Sequence, residues 1–422
     1  MHLSKSSSTR FLSLALAPYL AAIAFASPPA APATASSFPD SPSNGASTPA
    51  TRALDAIARG AAWLEARQAE DGSWSNPAFP ALTALPAWAL SAAPSAATSS
   101  IARAAAFVRS CAQPDGGIYI QVPGRRGGAL GTYNTAICMT ALHFADNPGS
   151  ARVIQKARDY VAATQLVGDD GPGASAGGFG YERNSPGGYA DLNNSAWAVA
   201  AMRLTQDVEE ARPAGEAHAD INWDAARAYV SSLQVKPGDD ATDPSDAGGF
   251  LYRRDPQPAP AGRDGQRGPG AAEAPAAGRD GQAAPGLNRR PPRRSYGSIT
   301  YSGLEAMIFA QVSRSDPRVV SAIDYARHHW TLDENPGMGQ QGLFYYYTIM
   351  ARALSVLELD SLPSANPGDR DIHWRDELID KIVSLQNPDG SWQNANNRFW
   401  ENDPVLCTSY SLLALEYALR MF

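Results

Sequence analysis

Apolar residues recur at spacings of three and four in short segments spread along most of the chain. That spacing places apolar side chains on one stripe of a helix and leaves polar residues on the opposite face. Other segments, such as 195–201 and 409–419, are apolar nearly all round and must therefore be buried. The pattern predicts pairs of helices, one outer and one inner. The outer helices carry the apolar pairs Trp63-Leu64, Phe107-Val108, Tyr160-Val161, Tyr229-Val230 and Leu378-Ile379.

A short turn motif separates the two helices of each pair. The segment QAEDGSW at 68–74 recurs as QNPDGSW at 386–392, looser copies begin at Gln113, Gln165 and Gln234, and a degenerate copy occupies 337–345. Asp-Gly and Gly-Gly permit the positive φ that reverses the chain, and the aromatic residue that follows can cover the preceding helix end. Six copies predict an all-α (α/α)6 toroid of six helix-hairpin repeats. We assign a structural role to Gln68, Asp71, Gly72, Trp74, Gln113, Gln386, Asp389, Gly390 and Trp392.

Three segments lie outside the repeat pattern. Lys5 and Arg10 lead into an apolar run over 11–26 that ends in Ala-Phe-Ala, which predicts a signal peptide over residues 1–26, with a retained membrane anchor as the alternative. The Pro-, Ala- and Ser-rich residues 27–51 predict a disordered spacer before a toroid domain over 52–422. Residues 253–294 form a low-complexity Pro-, Gly- and Arg-rich insertion in the fourth repeat, predicted to be disordered. That insertion is either a neutral expansion or a basic arm that meets an acidic surface.

Composition and charge narrow the classes of partner. Of the 422 residues 44% are hydrophobic, which suits a chain with a buried core, and the formal net charge is −7. An acidic balance argues against a nucleic-acid partner, because phosphate binding needs a basic face. The three cysteines, Cys111, Cys138 and Cys407, allow at most one disulfide, and we expect buried thiols. We expect an exported protein of the periplasm or extracellular space, without a membrane span after signal cleavage; peripheral contact with a membrane stays open.

At its Gln-x-x-Asp-Gly-Ser-Trp turns the chain resembles the terpenoid cyclase and protein prenyltransferase superfamily, in particular the QW repeats of squalene-hopene cyclases. It also resembles bacterial exported proteins of the prenyltransferase or squalene oxidase repeat type. The strongest block runs from 333–339 to Tyr345-Tyr346-Tyr347, together with the C-terminal repeat. The resemblance covers about residues 52–422 and implies a toroid with a central cavity for an isoprenoid or other apolar ligand.

The catalytic motifs that the resemblance implies are missing. Squalene-hopene cyclases protonate their substrate with an Asp-x-Asp-Asp motif, and the nearest segment here is Asp369-Arg370-Asp371 followed by Ile372. Prenyltransferases of this fold bind zinc through Asp-x-Cys and a later His; here Asn193 follows Asp191 where Cys is expected, and Cys407 stands where His is expected. We therefore expect no metal and no cofactor, and whether the protein is an enzyme stays open.

In such a toroid the residues at the starts of the inner helices face the cavity mouth. Carboxylates there permit acid–base chemistry, so the candidate catalytic residues are Asp191, Glu401 and Asp403. Aromatic side chains there can bind cations or stack on sugar rings, whereas Asn, Ser and Thr can equally be helix N-caps. The candidate ligand-binding residues are Tyr133, Asn134, Asn193, Asn194, Tyr301, Tyr345, Tyr346, Tyr347, Trp400, Thr408 and Tyr410.

Three functions fit the sequence. The first is an exported terpenoid cyclase- or prenyltransferase-like protein that binds an isoprenoid or other apolar ligand in its cavity. The second is a carbohydrate-active enzyme, a glycosidase or polysaccharide lyase, that uses the cavity carboxylates. The third is a non-catalytic scaffold of the cell envelope. An aliphatic and aromatic cavity favours the first function, two carboxylates in a wet cleft favour the second, and a cavity filled by side chains favours the third.

Overall fold

A computed structural model describes residues 47–121, 129–167, 175–183, 189–239, 243–253, 294–365 and 368–422. The predicted signal peptide, most of the predicted spacer and the insertion between 253 and 294 lie outside the described residues. Residues Ser47–Phe422 belong to one compact unit. The first helix begins at Pro49, slightly before the predicted domain boundary at residue 52. It begins there because the Thr48 side chain accepts a hydrogen bond from the Thr51 amide and proline suits the first helical turn.

Within the described ranges the chain forms twelve α-helices. They are α1 (Pro49–Glu65), α2 (Ala81–Ala92), α3 (Thr98–Ser110), α4 (Gly131–Thr164), α5 (Leu192–Leu204), α6 (Gln206–Glu210), α7 (Trp223–Ser232), α8 (Gly297–Phe309), α9 (Pro317–His328), α10 (Leu343–Val356), α11 (Trp374–Ser384) and α12 (Pro404–Ala418). Asp146, with φ of −158°, divides α4 into a fully buried first half and an amphipathic second half. Each apolar helix is therefore paired with an amphipathic one.

The inner helices close into a ring. The apolar helices α2, α5, α8, α10 and α12 and the first half of α4 contact one another in chain order, and α12 returns to contact α2. In the outer layer, α1 likewise contacts α11. An open superhelix would leave its first and last hairpins apart. The contacts between α12 and α2 therefore confirm the predicted (α/α)6 toroid.

The glycines of the turns let neighbouring hairpins approach closely. Gly72 and Gly390 have φ of +88° and +95°, a region that L side chains rarely adopt. A Cβ atom on Gly72 would lie 2.5 Å from the backbone oxygen of Arg103 in α3, and one on Gly390 would lie 2.7 Å from that of Arg59 in α1. The last turn thus packs on α1 in the way that the first turn packs on α3. The contact that closes the ring is therefore of the same kind as the contact between the first two repeats.

The glutamines of the first and last turns each join two neighbouring repeats. The Gln68 side-chain amide donates to the glycine carbonyl oxygen of its own turn at 3.0 Å and to the Ser100 carbonyl oxygen in α3 at 2.9 Å. Gln386 repeats this geometry with its own glycine and with Ala56 in α1, both at 2.9 Å. Gln113 differs, because its amide donates only to carbonyl oxygens within its own turn.

The tryptophans of the first and last turns are fully buried and occupy matching places. The indole N–H groups of Trp74 and Trp392 each donate at 2.8 Å to a carbonyl oxygen near the end of the preceding outer helix. Their backbone N–H groups donate to the hydroxyl oxygens of Thr83 and Thr408, near the starts of the following inner helices. Each turn therefore connects the end of an outer helix to the start of an inner one, as expected for residues with a structural role.

The middle of the ring is filled by large side chains. Trp88 of α2 lies 6.4 Å from Trp197 of α5 between ring centroids, and these helices are not neighbours in the ring. The Arg352 guanidinium of α10 lies 4.3 Å from the Trp197 ring centroid and forms an ion pair with Glu305 of α8. Side chains from three alternate helices of the ring, α2, α5 and α10, therefore meet in its middle.

Candidate functional site

A cavity opens at the end of the toroid where the inner helices begin. It contains about 550 Å³ of space between atoms when its open mouth is included. The residues that line it are Tyr133, Asn193, Tyr296, Ser298, Ile299, Asn335, Met338, Gly342, Tyr345, Phe399, Glu401 and Tyr410.

Glu401 supplies the carboxylate of this cavity. Its side chain is 0% exposed; Oε1 accepts from the Tyr345 backbone N–H at 2.9 Å and Oε2 from the Asn394 side-chain amide at 2.7 Å. The preceding N-cap, Gly342, has no side chain, so Glu401 caps α10 from a distant part of the chain. Burial raises the pKa of Glu401 to about 7, opposed by the hydrogen bonds from Tyr345 and Asn394. Glu401 is thus both a helix cap and a titratable group at the cavity wall.

Three tyrosines form much of the cavity wall, and hydrogen bonds hold their hydroxyl groups. The Tyr345 hydroxyl donates to the Asn193 side-chain oxygen at 2.7 Å, which links α10 to α5 across the ring. The rings of Tyr345 and Tyr410 lie 5.8 Å apart at 57°. Burial raises the pKa of Tyr133 to about 12, opposed by an interaction with the side chain of Tyr410. The hydroxyl groups therefore stay protonated at neutral pH, and their rings face one another at fixed angles.

Asp191 lies at the start of α5 and outside the lining of the cavity. Its carboxylate caps that helix, accepting from the Asn194 backbone N–H at 2.9 Å and from the Asn194 side chain at 2.8 Å. Burial raises the pKa of Asp191 to about 6, opposed by hydrogen bonds from Asn194 and Tyr252. Asp403 caps α12 through the Val405 backbone N–H and is only partly buried. Among the three candidate carboxylates, Glu401 alone lines the cavity.

Of the candidate ligand-binding residues, the structure places Tyr133, Asn193, Tyr345 and Tyr410 together at the cavity. The remaining candidates lie elsewhere and have other contacts. Asn134 bridges the starts of α2 and α4, and Asn194 contacts Asp191. The hydroxyl groups of Tyr346 and Tyr347 donate to the carbonyl oxygens of Thr331 and Leu332, and Tyr301 packs against the Tyr346 ring. Trp400 packs on Phe79, and the Thr408 hydroxyl accepts from the Trp392 backbone N–H. These side chains hold loops and helix ends around the cavity.

Sequence reasoning missed several residues of the cavity wall. Asn335 and Met338 fall in the 333–339 block that carries the family resemblance, so a signal for them existed. Phe399 has no such signal; it and Trp400 adopt φ of +59° and +64°, which side chains larger than glycine rarely do. This backbone directs Phe399 to the cavity and Trp400 to Phe79, where the two rings meet edge to face. Such conformations tend to occur near functional sites.

Other features bear on chemistry elsewhere in the described ranges. Cys111, Cys138 and Cys407 are buried free thiols. No group of three or more His, Cys, Asp or Glu side chains suited to a metal ion occurs among the described residues. None of the helices in those ranges is long and apolar enough to cross a membrane.

Solved structures share this fold at low sequence identity. A substituted form of the type II terpene cyclase MstE from Scytonema, in complex with its product merosterolic acid A, aligns with a TM-score of 0.51 and 13% identity over 89% of this chain and 99% of the other. A second substituted form, in complex with the substrate geranylgeranyl dihydroxybenzoate, gives the same values. A glycosidase in complex with glucose aligns with a TM-score of 0.48 and 11% identity over 88% of this chain and 98% of the other.

Neither a sequence-family profile nor a curated protein sequence matches the chain. At such low identity the structural likeness concerns the fold alone. The chain therefore has an all-α, terpenoid cyclase-like toroid fold.

Proposed function

We propose that this chain is an exported, terpenoid cyclase-like toroid protein that binds an isoprenoid or other apolar ligand at the cavity where its inner helices begin. The lining of the cavity carries the proposal: Tyr, Phe, Ile and Met side chains predominate over a few polar groups, the composition usual for small-molecule sites. The substrate of the cyclase MstE contains a geranylgeranyl group, which supports an isoprenoid as the ligand class.

The size of the cavity narrows this proposal. Trp88, Trp197 and Arg352 pack together in the ring beyond it. A long polyene therefore cannot pass through the ring. The ligand therefore inserts one end among the tyrosines and leaves the rest of its length along the open mouth.

Binding can be tested by titrating the purified chain with geraniol and following intrinsic fluorescence. Ile299 of α8 lines the cavity, so Ile299→Phe should fill part of the space and weaken binding at least threefold, while the fold survives by circular dichroism. Ile308→Phe is the matched control, because Ile308 lies in the same helix but not in the cavity lining. Equal weakening by both variants, or no binding by the native chain, would overturn the proposal.

Export can be tested separately. Expressed in a bacterial host, the chain should appear outside the cytoplasm with a mature N-terminus at Ser27, because Ala24-Phe25-Ala26 has the small-x-small pattern of a cleavage site. Mass spectrometry of the intact protein measures this. A cytoplasmic protein that keeps residues 1–26 would contradict the localisation and leave the binding proposal untouched.

A carbohydrate-active enzyme is the second candidate, and it rests on the buried Glu401 carboxyl at the cavity wall, whose pKa burial raises to about 7. The second carboxylate that a glycosidase uses is not among the described residues of the lining. A carboxyl group that keeps its proton near neutral pH can act as a general acid toward a glycosidic oxygen. Release of reducing sugar from glycan substrates, lost in Glu401→Gln, would support this reading over simple binding.

A non-catalytic envelope scaffold is the third candidate. The packed side chains in the middle of the ring favour it, because they leave no large chamber for chemistry. Absence of ligand adducts in native mass spectra after incubation with lipid and glycan extracts of the envelope would support the scaffold.

A further inference from the structure

The cavity combines aromatic rings with a single type of formal charge. Five rings line it, from Tyr133, Tyr296, Tyr345, Tyr410 and Phe399, and the one ionisable group beside these tyrosines is the Glu401 carboxyl. Among the described residues, the cavity lining contains no Lys, Arg or His. A ligand that enters here meets π-electron faces and a carboxylate. The Arg398 guanidinium, which is not part of the lining, lies 5.2 Å from the Phe399 ring centroid.

The backbone N–H groups at the start of α10, which form the positive end of its helix dipole, are not free to bind a ligand. The Glu401 carboxylate already accepts from the Tyr345 backbone N–H, in the first turn of that helix. An anionic group such as a phosphate would need those N–H groups and would meet the Glu401 carboxylate instead. The charge arrangement therefore disfavours an anionic ligand end.

The rings are held in place before a ligand arrives. Tyr345 donates to Asn193, Tyr133 interacts with Tyr410, and Tyr345 and Tyr410 meet at 57° rather than in parallel. Inclined rings around a small space present several faces to one compact group. Because their hydroxyl groups have partners, little freedom is lost when that group binds.

We propose that the end of the ligand that enters this cavity is a compact organic cation, a methylated ammonium group. This inference rests on the proposed function, since it identifies which part of the ligand lies among the tyrosines. Methyl groups on the cation suit an apolar lining, while the positive charge is attracted to the ring faces and to Glu401. The cavity, with about 550 Å³ including its open mouth, has room for such a head group and for an apolar tail along the mouth.

Choline and its neutral isostere 3,3-dimethyl-1-butanol test the inference directly, because they have the same shape and differ in charge. In calorimetric titrations of the full chain at pH 8, choline should bind at least about tenfold more tightly than the neutral alcohol. Phe399→Leu removes one ring without breaking a side-chain hydrogen bond and should weaken choline binding about threefold or more. Phe107→Leu, in the outer helix α3, is the matched control and should bind choline as the native chain does.

The outcomes separate this inference from the proposed function. If choline and the alcohol bind equally, or the alcohol binds better, the cation inference is wrong. If geraniol binds and choline does not, the apolar site stands without a cationic head. If choline binds but Phe399→Leu and Phe107→Leu behave alike, the cation binds elsewhere and the inference fails. If geraniol, choline and the alcohol all fail to bind, both the inference and the proposed function are wrong.

Discussion

Replacing Glu401 by Gln should change how the stability of the protein depends on pH. Burial raises the pKa of Glu401 from 4.5 to about 7 in the folded state. Between these two values the folded protein keeps a proton that the unfolded chain releases, so the free energy of unfolding falls as pH rises. A difference of about 2.5 pKa units corresponds to roughly 3 kcal/mol, fully present below pH 4.5 and lost above pH 7.

Urea unfolding followed by circular dichroism at a series of pH values from 4.5 to 8 measures this effect. Burial also raises the pKa of Asp191, from 3.8 to about 6. The free energy of unfolding therefore falls with pH for this second reason too, equally in the native chain and in Glu401→Gln. The difference between the two curves should therefore change by about 3 kcal/mol over this range. Glu70→Gln, on the exposed surface, is the control and should run parallel to the native chain. Parallel curves for the native chain and Glu401→Gln would refute the reasoning and show that water reaches the carboxylate freely.

Further predictions concern stability. Trp74→Ala and Trp392→Ala should each lower the free energy of unfolding by about 3–5 kcal/mol in urea titrations, because each deletes a fully buried indole. Asp403→Ala removes only a helix cap, so it should lose about 1 kcal/mol and keep its helical spectrum; an unfolded variant would show that this residue is structural. Gly390→Ala should lower the melting temperature more than Gly368→Ala. Both glycines have φ near +95°, but a Cβ on Gly390 would lie 2.7 Å from a backbone oxygen and one on Gly368 would meet nothing within 4 Å; equal shifts would contradict close packing at the ring closure.

The fold was predictable because its information is local and repeated. Five of the six turns begin with Gln, all six carry Gly and an aromatic residue, and each inner helix is apolar enough to identify its burial from a short window. Closure of the ring followed from the number of hairpins. The structure adds the contact that closes the ring between the last turn and α1: the Gln386 side chain donates to the Ala56 carbonyl oxygen, as the Gln68 side chain donates to that of Ser100.

The candidate site was predictable only in part, because its contacts join distant parts of the chain. Tyr345 and Asn193 are 152 positions apart, and their hydrogen bond depends on two helices, α10 and α5, that are not neighbours in the ring. Glu401 caps α10 from 56 positions away, so its double role as cap and cavity wall has no local signal. Phe399 reaches the cavity through a backbone conformation that the sequence around it does not announce. Asp191 and Asp403 do carry a local signal, that of a helix N-cap, and the structure places them in that role.

Hydrogen–deuterium exchange of the full chain with and without geraniol tests most directly whether the mouth of the toroid is the ligand site. Peptides over 343–347 and 398–410, which contain Tyr345, Phe399, Glu401 and Tyr410, should exchange more slowly when geraniol is bound. Slower exchange confined to the separate polar pocket around Arg158 and Glu209 would place the ligand at another site. That result, or exchange unchanged throughout, would contradict binding at the cavity.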